Sequence, residues 1–205
     1  MKLFPMFTKL DGRRCLVVGA GTVGEGKIAT LVEAGASVTV VAPQATALVE
    51  WWMESGLVRW RARDFESADL DGVFLAVVAT DSTEVNRSVF TEAQRRGVLC
   101  NVVDVPELCD FYYPATVQRG NLQIAVSTGG LSPALAQRIR RELEQLYPER
   151  YSDWLERIAE RRGVIRASGL DPARQRELLH RSVTAEAFAR FVADHEPFDV
   201  QRGES

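Results

Sequence analysis

Lysine is nearly missing from this chain of 205 residues, occurring only as Lys2, Lys9 and Lys27. The Tyr-x-x-x-Lys pair with which short-chain alcohol dehydrogenases move a proton therefore has no lysine to use beyond the first few elements. Histidine is limited to His180 and His195, too few for a histidine cage around a metal within one chain, and no metal-binding residues are expected. Cys15, Cys100 and Cys109 lack paired ligand spacing. Cys15 and Cys100 fall in apolar, strand-like runs, where a thiol behaves as a small hydrophobe. No apolar run approaches the roughly 20 residues of a bilayer span, and the N-terminus lacks a long apolar targeting core. A reducing, cytoplasmic setting with no membrane partner is expected. The net charge of -3 gives no sign of a general nucleic-acid binder.

What is present is ordinary in bulk and specific in detail. With 46% hydrophobic and 26% charged residues the chain has the composition of a soluble globular protein, long enough for one large domain or two small ones. Positive charge is carried by arginine and crowds the second half, from Arg119 through Arg138, Arg140 and Arg141 to Arg161 and Arg162. Guanidinium forks suit carboxylates, although most arginines on helices are simply solvated.

The most informative run is Gly19-Ala20-Gly21-Thr22-Val23-Gly24, directly after the apolar Cys15-Leu16-Val17-Val18 and before an amphipathic stretch ending near Ala34. In a dinucleotide-binding turn the first glycine permits the tight bend, the second admits a pyrophosphate, and the third lets helix pack on strand. Amides at the helix start then hold the phosphates.

Val38 to Val41 reads as a second strand, Ala45 to Ser55 as a helix, and Leu57 to Arg61 as a short strand. Val73 to Ala79 has the unbroken apolar character of a central parallel strand covered on both faces. Thr83 to Arg96 has helical spacing stopped by Gly97, and Leu99 to Val103 reads as a further strand. This alternation predicts an α/β chain with a Rossmann-like, doubly wound parallel sheet over residues 1–113. After Pro114 the pattern changes to a hairpin, Ala115 to Gln118 and Leu122 to Ser127, turning through Arg119-Gly120-Asn121. Ser132 and Pro133 start a helix to Leu146, giving a hairpin-and-helix section over 114–147. Residues 148–205 read as a C-terminal helical domain broken near Gly163 and near Gly169, with a frayed tail after Pro197.

Ligands on such sheets lie beyond the carboxyl ends of the strands, so the loops after Val18, Val41, Ala79 and Val103 share one rim. The acidic residue expected about 20 residues after the glycine turn, for the adenine ribose, is replaced by Pro43-Gln44. Thr80 and Asp81 end the central strand where they would line the cofactor cleft, the alternative being that Asp81-Ser82 starts and caps the next helix. Asp104 ends a strand at the same rim; if shielded there, its carboxylate would serve as a proton acceptor, the structural alternative being a turn before Pro106. Thr128, Gly129 and Gly130 precede a helix and are either an anion site or a bend with a cap.

Taken in order, Phe4 to Phe7, Cys15 to Gly24, Val40 to Pro43, Ala79 to Asp81, Asn101 to Pro106, Phe111 to Pro114 and Ser127 to Pro133 resemble the precorrin-2 dehydrogenase and sirohydrochlorin ferrochelatase family, the N-terminal module of siroheme synthases. The resemblance covers roughly Leu3 to Leu146. It implies NAD-dependent oxidation of the tetrapyrrole precorrin-2 to sirohydrochlorin, often with ferrous iron insertion, in a homodimer that pairs through the section after the Rossmann unit, here the hairpin Ala115 to Ser127 within 114–147 and the C-terminal helices, with the cleft near the subunit interface. Asp104 matches the aspartate regarded as important for both steps. Thr22, Val23, Pro43 and Gln44 match cofactor-contact positions, to which the turn adds Gly19, Gly21 and Gly24 and the central strand adds Thr80. Thr128 falls where some members carry a phosphorylatable serine, and Gly26 departs from the arginine of many members. A non-catalytic NAD-sensing dimer is the rival expectation.

Overall fold

The computed structural model describes residues 3–194, which form two compact units divided between Tyr113 and Pro114. In the first, the strands are β1 (Arg14–Ala20), β2 (Ser37–Ala45), β3 (Val58–Arg61), β4 (Leu75–Val78) and β5 (Leu99–Val102). All pair in parallel, in the order β3-β2-β1-β4-β5. Three helices connect them: α1 (Thr22–Glu33), α2 (Ala47–Glu54) and α3 (Thr83–Arg96).

Side-chain alternation at period two divides the core between the faces of the sheet. Cys15, Val17, Leu75 and Val77 join Ile28 and Leu31 of α1 and Val49 of α2. Leu16, Val18, Ala76 and Val78 join Val89 and Ala93 of α3. Helix starts and stops follow local chemistry: Thr46 and Ser82 accept from the amides of Val49 and Val85, and Gly97 ends α3 in the left-handed conformation, φ 68°.

The crossover from β3 to β4 is held by one buried carboxylate. Asp69 accepts from Arg61, from both terminal nitrogens of Arg63 at 2.7 and 2.8 Å, and from the Glu66 amide at 2.9 Å. Burial alone would push this carboxyl up, but the bonds from Arg63, Glu66 and Arg61 outweigh it and hold it below its ordinary value.

The second unit contains an antiparallel hairpin, β6 (Ala115–Arg119) and β7 (Leu122–Val126), then α4 (Pro133–Leu146), α5 (Tyr151–Ala167), α6 (Pro172–Arg181) and α7 (Ala185–Asp194). The hairpin turns through Gly120 and Asn121, with Gly120 at φ 53°. Two expectations need correction. Helix α5 runs unbroken through Gly163, where an added Cβ would meet nothing within 4 Å, so the helix bears only the modest propensity cost of glycine. A break absent from the sequence reading separates α6 from α7 over 182–184. The break near Gly169 is present, with Gly169 at φ 69°, whereas the tail after Pro197 and His195 lie outside the described residues.

Asp69 yields a pH test. A carboxylate whose folded pKa is depressed contributes stability above its unfolded value, near 4, and loses it as pH falls further. Asp69→Asn is expected to cost about 2 kcal/mol at pH 7, with the gap to the parent constant at neutral pH and narrowing as pH falls below about 4 in denaturant titrations. A gap that does not narrow there would contradict the assignment.

Candidate functional site

Along the carboxyl rim of the sheet the registers place three turns side by side. Val18 of β1 pairs with Val78 of β4, which pairs with Val102 of β5. Two residues beyond those partners lie Ala20, Thr80 and Asp104. At about 4.8 Å per strand step, the backbone of Asp104 is roughly 10 Å across the rim from the glycine turn.

The three glycines answer three different constraints. A Cβ on Gly19, at φ 99°, would lie 2.2 Å from the Ala79 carbonyl oxygen, so no side chain fits where β1 passes the end of β4. A Cβ on Gly24 would lie 2.3 Å from the Gly19 carbonyl oxygen, which sets how closely α1 packs on its strand. Gly21 faces open space and, as N-cap, offers no side chain to the amides behind it. The starting amides of α1 therefore face outward, flanked by exposed Thr22 and by Val23, which is 55% exposed. A pyrophosphate fits this cradle, where close backbone approach and helix-start amides act together.

The second strand closes against the same turn. The Thr46 amide donates to the Ala20 carbonyl at 3.1 Å, and the Thr46 hydroxyl donates to Glu25 of α1 at 2.6 Å. Pro43 and Gln44 are exposed just before this junction, so Gln44 has room to bond a ribose hydroxyl. The sequence reading passed over Glu25, the acidic group of the first turn of α1.

Thr80 is less free than its position suggests. Its hydroxyl donates to Asn86 at 2.7 Å and accepts from the Ser82 amide at 3.2 Å, while Asn86 donates to the Thr80 carbonyl at 3.1 Å. Asn86 lies on the buried stripe of α3 with Val89 and Ala93. A polar residue at a core position of an amphipathic helix was the available signal, and the sequence reading did not use it. Ser82 is the helix cap, so Asp81 is left exposed.

Asp104 is exposed, so residues 3–194 do not supply the shielding expected of it. Its backbone is distinctive: among the described residues it is the sole non-glycine at positive φ, 61°, in a turn closed by the Val105 amide on the Val102 carbonyl at 3.2 Å. The chain then doubles back on β5. Cys109 forms an antiparallel bridge to Asn101, and its thiol donates toward the Val102 and Val105 carbonyls at 3.1 and 3.3 Å. Buried Asn101 donates to the Phe111 carbonyl at 2.7 Å and to the Cys109 sulfur at 3.3 Å. Burial raises the Cys109 thiol above its ordinary value and takes Cys15 and Cys100 to about 11 and 12. All three thiols are thus held protonated, as packing or bracing groups.

In the second unit the Thr128 hydroxyl is engaged on both sides, donating to the Ser132 carbonyl at 3.0 Å and accepting from its amide at 3.1 Å. It staples the loop to the cap of α4. Gly129 and Gly130 are consecutive left-handed residues, φ 64° and 83°, and the Gly130 amide bonds nothing among the described residues. Arg119 is a helix cap, donating to the Tyr147 carbonyl at 2.8 Å and the Glu144 carbonyl at 3.3 Å. Arg138 and Arg140 pair along α4 with Glu142 and Glu144. No cluster of three His, Cys, Asp or Glu suited to a metal occurs among the described residues, and no described helix is long and apolar enough to cross a membrane.

The parallel order, the rim and the glycine turn define a dinucleotide-binding protein of the Rossmann class. Residues 6–115 match the family described as Putative NAD(P)-binding, and residues 119–146 match Sirohaem biosynthesis protein central. Similar proteins include the siroheme synthase of Methylococcus capsulatus (strain ATCC 33009 / NCIMB 11132 / Bath), 40% identical over 91% of this chain and 40% of that protein. The siroheme synthase of Methylobacillus flagellatus (strain ATCC 51484 / DSM 6875 / VKM B-1610 / KT) is 45% identical over 81% of this chain and 36% of that protein. Among solved structures, SirC, precorrin-2 dehydrogenase, superposes with a TM-score of 0.82 at 31% identity, covering 93% of this chain and 94% of that one. The chain belongs to the precorrin-2 dehydrogenase and siroheme synthase family. It spans two fifths or less of the length of the two siroheme synthases.

The glycine turn can be tested against its own neighbour. Gly24→Ala drives a methyl into the Gly19 carbonyl, whereas Gly26→Ala, two residues on, meets nothing within 4 Å. Calorimetric titration with NAD should show affinity lost by about tenfold or more, equivalent to about 1.4 kcal/mol, in the first variant and unchanged affinity in the second. Equal affinities would contradict the packing role of Gly24.

Proposed function

We propose that the chain oxidises precorrin-2 to sirohydrochlorin with NAD as electron acceptor, in the cytoplasm and as a homodimer. The observation that carries the reading is the rim itself: a pyrophosphate cradle at Gly19, Gly21 and Gly24, and one carboxylate, Asp104, two strands along the same edge. NAD, when bound, supplies a two-electron acceptor. Thr22, Val23, Pro43 and Gln44 border that cradle; Thr80, with its hydroxyl spent on Asn86, contributes shape at the cleft.

Extending the conjugation of the macrocycle removes a hydride, for which NAD would be the acceptor, and a proton, which Asp104 is the group placed to accept. Because the carboxylate is exposed, the macrocycle itself must exclude water from it on binding. The bound tetrapyrrole carries many carboxylates, for which the Gly129-Gly130 bend offers a free amide, with Thr128 setting the shape of that bend. Iron insertion displaces pyrrolic protons, and the same carboxylate is the base we assign to it, with ferrous iron as a substrate. We further propose a division of labour into a nucleotide domain over 1–113, a pairing and substrate section over 114–147 and a helical domain from 148 on. Exposed Leu131 (92%), Leu135 and Leu146 support pairing through the middle section, and three free cysteines suit a reducing compartment.

The assay uses enzymatically made precorrin-2 with NAD, following NADH and the sirohydrochlorin spectrum. The parent chain should produce both. Asp104→Asn keeps a residue type that tolerates left-handed backbone, and Asp104→Gly relieves that conformation altogether. Both are expected to fold at least as well as Asp104→Ala and to lose turnover by about 100-fold, the lower range for a general base. NAD binding without NADH formation by the parent would favour the non-catalytic sensing module instead. Unchanged turnover in both variants would leave Asp104 as a turn residue only.

A further inference from the structure

We propose that the second unit contains a binding site of its own, built by α5, α6 and α7, for a ring compound that carries two or more carboxylates. The site is an open cavity of about 470 Å³, within the range of small-molecule sites. Its lining follows helical periodicity. Trp154, Arg157, Ile158 and Arg161 are spaced i, i+3, i+4, i+7 along α5, and Ala187, Arg190, Phe191 and Asp194 repeat that spacing along α7. Leu178 and Arg181 of α6, with Ser182 beyond it, complete the wall.

Two stripes of the same design thus face one space, each offering an apolar body and a guanidinium. Trp154, Ile158, Leu178 and Phe191 supply flat and apolar surface suited to a ring. Among the described residues Arg157, Arg161, Arg181 and Arg190 supply four positive charges against one lining carboxylate, Asp194.

The nearby acids consume only part of this charge. Glu177 is shared between Arg174 at 2.5 Å and Arg181 at 2.7 Å. Arg190 donates its Nε to the backbone carbonyl of Glu186 at 3.3 Å, which leaves its two terminal nitrogens unspent. Arg157 and Arg161 make no ion pair with any described residue. Solvated helix faces balance such residues with glutamates one turn away, as Arg138 and Arg140 are balanced on α4. Arg157 and Arg161 lack that balance beside the cavity, and guanidiniums beside aromatic surface are the combination that takes planar carboxylates. The volume admits a compact fused-ring acid whole, or one edge of a larger macrocyclic polycarboxylate. Nothing in the site draws on residues 1–113.

Calorimetric titration of the full chain, saturated with NAD, with 2,6-naphthalenedicarboxylate and separately with uroporphyrin I distinguishes these sources. Two variants probe the cavity differently: Arg157→Gln with Arg161→Gln removes charge, and Ala187→Trp fills space without changing it. Unaltered melting temperature and NAD affinity would establish that both variants fold. At least one compound is expected to show a saturable site in the parent chain that weakens tenfold or more in both variants and weakens with added salt in the parent. Loss of the naphthalene site would identify a compact ring acid, and loss confined to uroporphyrin would identify a macrocycle edge. If neither compound loses a site on either substitution, the proposal is overturned.

Discussion

Three backbone segments meet at the turn after β1 more closely than any side chain would allow: the Gly19 carbonyl lies under α1, and the end of β4 lies against Gly19 itself. A methyl on Gly19 or Gly24 would fall within 2.2 or 2.3 Å of a carbonyl oxygen, distances that no rotamer adjustment relieves. Because β4 leads into Thr80 and pairs with the strand that leads into Asp104, displacing this contact would shift the whole rim. The cradle and the carboxylate are consequences of one packing constraint, transmitted through the ladder of β1, β4 and β5.

The remaining precision comes from buried amide side chains. Asn86 fixes the loop after β4, and Asn101 fixes the return of the chain behind Asp104. Each donates to a part-buried loop carbonyl, where an unmade bond is costly. Cys109 does similar work through sulfur, and its raised pKa fits a thiol that donates and is not ionised. The left-handed Asp104 is therefore held from behind while its side chain remains open to solvent.

Much of this was legible in the chain. The order of strands and helices, the cap at Ser82, the stop at Gly97 and the hairpin turn follow from periodicity and residue type, because each depends on neighbours in sequence. The glycine turn was legible for the same reason. The return of 105–113 onto β5 was not, since it depends on hydrogen bonds between Asn101, Cys109 and Phe111 that no local pattern encodes. Nor was the engagement of Thr80 and Thr128, whose hydroxyls read as ligand groups until their partners are seen. Arg119 is left open in sequence between carboxylate binding and a solvated face, and becomes a cap for α4 that also pairs with Glu149 only once the hairpin packs beside it. The seam between α6 and α7 carries no glycine or proline, so composition alone ran the helix through it.

The central claim is that a nicotinamide and the Asp104 carboxylate address the same macrocycle from one rim of the sheet. A crystal structure of the chain with NAD and sirohydrochlorin tests it most directly. The account predicts the pyrophosphate at the start of α1 and a carboxylate oxygen of Asp104 about 3 Å from the macrocycle or joined to it by one water. A macrocycle bound roughly 10 Å or more from Asp104, two strand spacings away, would contradict it.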